Sequence, residues 1–158
     1  MKLQIISVGS KMPSWVEMAF LEYKKRFPRE FTLSLKEIPL KKRTSNRHQD
    51  ILRIIEEEGE KIIAAIPEKS FTIALDERGK SFTTLQLSQK LSDLQSETPM
   101  INFLIGGPDG LAKKCIEQAD LQWSLSNLTL PHPLVRVILI EQLYRAISIL
   151  NHHPYHRE

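Results

Sequence analysis

Three short stretches carry the residue types that could hold a small ligand: Leu75-Asp76-Glu77-Arg78-Gly79-Lys80, Gly106-Gly107-Pro108-Asp109-Gly110, and the segment from Ser124 to Pro133. Each follows or ends an apolar run that reads as a strand, and in an open parallel sheet ligands sit just outside the carboxyl ends of the strands. The Gly106-Gly107 pair lets a ligand approach the backbone where any Cβ would obstruct it, although a tight strand-to-helix turn would use the same pair. On the ligand account, Gly106→Val abolishes binding and leaves the protein folded. The third segment interleaves Leu125, Leu128 and Leu130 with Ser126, Asn127 and Thr129, so apolar contact and hydrogen bonding come from one loop. Neither a Gly-x-x-x-x-Gly-Lys-Ser/Thr cradle nor a Gly-x-Gly-x-x-Gly fingerprint is present, which argues against a pyrophosphate ligand. The composition suits an adenosine without phosphates.

Groups able to move a proton or meet a charge gather after that loop. His132 closes it, and Arg136 interrupts the apolar run from Leu134 to Ile140. The plainer account of Arg136 is a paired arginine at a subunit interface; the other is a ligand contact. The tail Asn151-His152-His153-Pro154-Tyr155-His156-Arg157-Glu158 holds three histidines, but Pro154 breaks any helix that would align His152 with His156. No cysteine or acidic cluster accompanies them, so no metal is expected. Tyr155 and Arg157 could instead stack on and hydrogen-bond a nucleobase, the alternative being an ordinary frayed terminus.

Positioning these loops requires strands and helices in alternation, and the apolar periodicity supplies them. Strands are expected at Lys2–Val8, Phe31–Ile38, Phe71–Leu75, Met100–Ile105 and Leu121–Leu125. A helix capped by Ser14 carries Trp15, Val16, Ala19, Phe20, Tyr23 and Phe27 at helical spacing and stops before Pro28. The second, Gln49–Ala65, has Ile51, Leu52, Ile55, Ile62 and Ile63 on its buried side. Further helices span Thr83–Glu97, Pro108 to about Ala119, and Pro133–Leu150. The pattern predicts one α/β domain over residues 1–158, a mostly parallel sheet with helices on both faces. The last helix is apolar nearly all round from Leu134 to Ile140, more than one contact face needs, so a homodimer is expected.

Charge and composition bound the function. The 158 residues are 41% apolar, enough to bury a core. The single Cys115 cannot form an internal disulfide, which fits a reducing, cytoplasmic setting. No segment is long enough to span a membrane, and Leu3–Val8 is too short and too polar for a secretory signal. The formal net charge is +3, yet Lys24, Lys25, Arg26, Arg29, Lys36, Lys41, Lys42, Arg43 and Arg47 face only Glu30 and Glu37. Such a block is the footprint of phosphate-backbone contact, and Lys24, Lys25, Arg26, Lys41, Lys42, Arg43 and Arg47 are its RNA-binding candidates; charge alone also describes a solvated helix end and loop. Two further classes stand beside a nucleotide-cofactor enzyme. A hydrolase lacks its Gly-x-Ser-x-Gly elbow. A non-catalytic RNA-binding protein using only residues 24–47 has no need of a second, glycine-lined apolar site.

Three stretches taken together resemble one family. Ile105-Gly106-Gly107-Pro108-Asp109-Gly110-Leu111, then Trp123 through Val137, then Tyr155-His156-Arg157-Glu158 are similar to the SPOUT-class methyltransferases of the RlmH type, and Met1-Lys2-Leu3-Gln4 with Val8-Gly9 and Lys11 fits as well. The resemblance implies a deep trefoil knot in the C-terminal part of the sheet, an S-adenosylmethionine pocket inside it, and an obligate homodimer. It places cofactor contacts on Leu75, Gly106 and the loop Leu125, Ser126, Asn127, Leu128, Thr129, Leu130. It also implies a substrate, the N3 atom of a pseudouridine in 23S ribosomal RNA of the assembled ribosome. N3 is an imide nitrogen whose lone pair becomes nucleophilic as its proton leaves, so displacement at a sulfonium methyl needs positioning and a cation for the developing anion. Arg157 or Arg136 could supply that cation, with Tyr155 orienting the base. His132 or His156 could accept the proton.

Overall fold

The structure, a computed structural model, describes residues 1–157; Glu158, last residue of the tail motif, lies outside the described residues. Its central strand is the near-continuous apolar run Met100–Ile105, β4 in chain order, buried on both faces as a central strand of a covered parallel sheet should be. Around it stand β1 (Lys2–Val8), β2 (Thr32–Ile38), β3 (Phe71–Ser81) and β5 (Leu121–Ser124) in the order β2-β1-β4-β3-β5, every pairing parallel. The connecting helices are α1 (Ser14–Arg26), α2 (His48–Ala64), α3 (Thr84–Glu97), α4 (Lys113–Gln118) and α5 (His132–Leu150).

Strand alternation sorts the core into two layers. Leu3, Ile5, Ile101, Phe103 and Ile105 turn towards α1, α3 and α5, meeting Phe20, Leu87, Leu91, Leu139 and Leu143. Ile6, Val8 and Leu104 turn the other way, towards Ile62 of α2, Cys115 of α4 and Ala112 at its cap. Burial pushes the Cys115 thiol up to about 11, so it packs as a small apolar group and is protonated at neutral pH. Thr83 caps α3 through a reciprocal capping box with Gln86.

Four local expectations are corrected. Pro13, not Ser14, holds the cap position of α1, and Trp15 is 52% exposed because only Val16 and Phe20 of that helix turn fully inward. In α2 the fully buried row is Ile54, Glu58 and Ile62, with Ile55 and Ile63 packed at its edge; of the residues expected inside, Leu52 is exposed, and Ile54 and Glu58 were not among them. β3 does not end at Leu75. It swings out over residues 76–79 and rejoins β5, so that Leu75 and Lys80 both register with Trp123. Pro108 does not open α4: a turn closed by Gly107 and Gly110 intervenes, and the helix begins only at Lys113.

Candidate active site

Because all five strands run the same way, the three loops singled out above emerge at one end of the sheet and enclose a cleft of about 750 Å³, a size ordinary for small-molecule sites. Of the eight residues expected to contact a cofactor, Leu75, Gly106, Leu125, Ser126, Leu128, Thr129 and Leu130 line it; Asn127 does not. Ser126 shapes the third loop by accepting the Leu128 N–H at 2.9 Å, and its carbonyl accepts the Ser124 hydroxyl at 2.9 Å. Thr129 donates its hydroxyl to Glu77 on the β3 excursion at 3.1 Å, tying loops one and three together. Asp76, also in the wall, is held below the usual carboxylate range by the Arg78 guanidinium, which lines the same wall and pairs with it at 3.1 Å.

The glycine turn works differently from its sequence reading. A Cβ on Gly106 would lie 2.3 Å from the Gly110 carbonyl carbon and 2.6 Å from the Leu111 nitrogen. The chain's own backbone occupies that space, so Gly106→Val disrupts the turn itself, and the expectation of a folded variant that merely loses ligand is withdrawn.

The N-terminus of α5 closes the cleft with His132 and Val135. Burial, then the neighbouring Arg136 charge, hold His132 below its ordinary value, and its Nδ1 is buried without a hydrogen-bond partner. Arg136 lies one turn on and outside the lining. It is 2% exposed, and its guanidinium donates to Ser7 Oγ (3.0 Å), Glu37 (3.0 Å), the Val8 carbonyl (3.3 Å) and the Gly9 carbonyl (2.6 Å). This is neither an interface arginine nor a free cation: it is a strut fastening α5 to the end of β1. Gly9, at φ +104°, lets the chain turn there, and a Cβ on it would come 3.4 Å from the His132 ring.

The tail goes elsewhere. The Tyr155 hydroxyl meets Glu141 (3.2 Å) and Tyr23 (3.4 Å), its ring lies edge-on to Tyr144 at 4.7 Å, and the Arg145 guanidinium sits 4.7 Å over it. Burial and these partners push the Tyr155 phenol up. Glu141 is nine residues beyond His132, roughly 14 Å along the helix axis. Within one chain Tyr155 is thus docked well away from the cleft, and Arg157 is exposed.

The basic block is also divided. Lys24, Lys25 and Arg26 occupy the last turn of α1, before β2 begins, whereas Lys41, Lys42, Arg43 and Arg47 follow its end. The seven residues of β2 separate the groups by roughly 20 Å, so the block is not one patch. Only the second group reaches the cleft: Arg43 pairs with Asp109 of its lining, Lys41 pairs with Glu57, and Leu40 lies beside Gly107. Sequence reasoning passed over Glu58, Ser7 and Glu37, which tie these pieces together. The signal for Glu58 was its place between Ile54 and Ile62 at four-residue spacing.

Among the described residues, no helix is long and apolar enough to cross a membrane. The family model described as "Predicted SPOUT methyltransferase" matches residues 1–156. The chain is 52% identical over 158 residues to the ribosomal RNA large subunit methyltransferase H of Thioalkalivibrio sulfidiphilus, covering all of both chains. It is 53% identical over 157 residues to the protein of that name from Saccharophagus degradans, covering 99% of this chain and 100% of that one. Among solved structures, a probable methylase family protein from Haemophilus influenzae aligns over 99% of this chain and 70% of its own with a TM-score of 0.57; at 12% identity this likeness bears on fold alone. With a parallel sheet, a cleft at its carboxyl end and matches along its whole length, the chain belongs to the SPOUT methyltransferase family.

Proposed function

We propose that this chain, as one domain, methylates N3 of a pseudouridine in 23S ribosomal RNA of the assembled ribosome, in the cytoplasm, with S-adenosylmethionine as donor. The observation that carries the proposal is the cleft: three loops at the carboxyl end of the sheet enclose it, and a basic loop stands at its rim. Leu75, Leu125, Leu128 and Leu130 offer apolar walls for an adenine. The donor supplies a sulfonium methyl. His132, held uncharged at neutral pH, is placed to accept the N3 proton as the base approaches. Arg136 cannot face the developing imidate, since its donors are committed, and acts by holding His132 and the start of α5 in place.

A trefoil knot belongs to this reading. The chain leaves β5 at the sheet edge, passes the β3 excursion through Thr129 and Glu77, and returns so that α5 meets the end of β1. A homodimer belongs to it too. Trp15, Met18 and Leu21 of α1 are exposed by 52%, 70% and 54%, and on α5, against which α1 packs, Leu134, Val137 and Ile138 are only half-buried. Burying these residues in a second copy is what their exposure favours. The tail, docked away from its own cleft, then serves the cleft of the partner copy, bringing Tyr155 and Arg157 to the base. A non-catalytic ribosome binder based on residues 24–47 is disfavoured, because that block is split between the two ends of the sheet.

The test is calorimetric titration with S-adenosylmethionine, followed by incubation with ribosomes lacking the modification and mass analysis of the nucleosides. One 3-methylpseudouridine per large subunit is expected. Ribosome binding without donor binding returns the non-catalytic reading.

A further inference from the structure

The middle of the buried row of α2 is a carboxylate. Ile54, Glu58 and Ile62 succeed one another at four-residue spacing on the face turned to the sheet, and they are 4%, 5% and 1% exposed. An aliphatic residue at 58 would extend the apolar layer of Ile6, Val8, Ile38 and Leu104. A buried carboxylate there costs desolvation, and no lysine or arginine side chain within salt-bridge distance offsets it among the described residues. Its Oε1 instead accepts the backbone N–H of Lys41 at 3.3 Å, while Oε2 lies 3.5 Å from where a Cβ of Gly107 would stand. Glu58 thus touches two segments that matter elsewhere: the basic loop 39–47, and the glycine turn that forms one wall of the cleft. Two exposed ion pairs, Lys41 with Glu57 and Arg43 with Asp109, flank the same junction. Such exposed pairs are worth little and open to a competing phosphate, whereas the Lys41 N–H is held by a carboxylate that is itself only 5% exposed.

We infer that Glu58 is the positioning residue of the basic loop: its carboxylate holds the Lys41 backbone against the glycine turn, so that Lys41, Lys42 and Arg43 meet RNA phosphates at the mouth of the cleft. The inference rests on the methyltransferase reading. Without this anchor, the loop still carries its charges but samples many positions, and phosphate contacts that act in a fixed register are lost.

The test separates this role from packing. Glu58→Leu completes the apolar row and keeps or raises the melting temperature, yet the ribosome concentration at half-maximal rate rises roughly tenfold, the worth of one or two phosphate contacts at moderate salt. The rate at saturating ribosomes and the affinity for S-adenosylmethionine stay at wild-type levels. Glu58→Gln, whose amide oxygen can still accept the Lys41 N–H, restores wild-type half-saturation. If Glu58→Leu does not fold, Glu58→Ala carries the same comparison. Wild-type ribosome dependence in the apolar variant, or a Gln variant as impaired as the apolar one, overturns the inference. A wild-type protein that binds no donor and methylates nothing overturns the underlying reading instead.

Discussion

The two ends of α5 are held in opposite ways. At the N-terminus the contact is polar and buried: Arg136 spends its guanidinium on two β1-end carbonyls, Ser7 and Glu37, and His132 faces the cleft beside it. Beyond the C-terminus the contact is aromatic and half-exposed: Tyr155 leans on Tyr144, Tyr23 and Arg145, and Asn151 reaches Glu30. The first kind fixes geometry, because each donor left unmade inside the protein costs its desolvation. The second is a sum of contacts of about 1 kcal/mol each, which a different partner surface can replace. One end builds a cleft inside a single chain; the other end holds a tail that can be redeployed.

The largest expected effect breaks the buried end. Arg136→Met removes the donors that satisfy the Ser7 hydroxyl and the Val8 and Gly9 carbonyls, and should lower unfolding free energy by about 3–5 kcal/mol in urea titration. A loss below about 1 kcal/mol would show that α5 does not depend on the strut. At the other end, deleting residues 155–158 should cost about 1–3 kcal/mol of urea stability, less than the loss of the strut, and leave donor affinity nearly unchanged, while single-turnover methyl transfer slows on the order of a hundredfold as the barrier rises by about 3 kcal/mol. Full single-turnover activity in the truncated protein would leave His132 as the remaining candidate of the two ends.

Redeployment of the tail is testable through the strip between the ends. Trp15→Glu with Met18→Glu should give a monomer by light scattering that still binds donor but does not methylate. An active monomer would mean that the tail serves its own cleft. Smaller still is the contrast between the two basic groups. Lys41, Lys42 and Arg43 replaced together by Ala should weaken ribosome association and flatten its salt dependence by about two to three contacts' worth of slope, whereas Ala at Lys24, Lys25 and Arg26 should leave the slope almost intact. Equal effects would restore the single undivided patch.

Much of this was legible in the sequence, and for identifiable reasons. The apolar run Met100–Ile105 and the helical spacing that predicts Thr83–Glu97 are local signals, and both elements form where those signals lie. The three loops were legible because a parallel sheet puts all strand ends of one kind together. Arg136 was visible as a misfit on an apolar helix, but its partners come from residues 7, 8, 9 and 37, about a hundred or more positions away, and no periodicity carries that information. Charge counting merged Lys24–Arg26 with Lys41–Arg47 because it ignores that a strand between two segments carries them to opposite ends of a sheet. Glu58 hid in the run Glu56-Glu57-Glu58, which reads as a solvated face until the phase of α2 is known.

The smallest effect concerns His132 and tests whether the buried end is as dry as the geometry makes it. Burial first, and the Arg136 charge second, depress its native value below the ordinary 6.5. The unfolded chain therefore takes up a proton near pH 6.5 that the folded chain still refuses, and stability must fall as pH drops from about 6.5 towards the lower native value. Above that window the imidazole is uncharged in both states and contributes no slope. His132→Gln removes this titration and nothing else on the same scale, so the difference between the two urea-stability profiles isolates it. The profiles should run parallel from pH 7 upward and diverge below 6.5, the wild type losing stability faster. Superimposed curves from pH 5 to 8 would mean that the ring titrates as if in water, and that the cleft end of α5 is as open as the tail end.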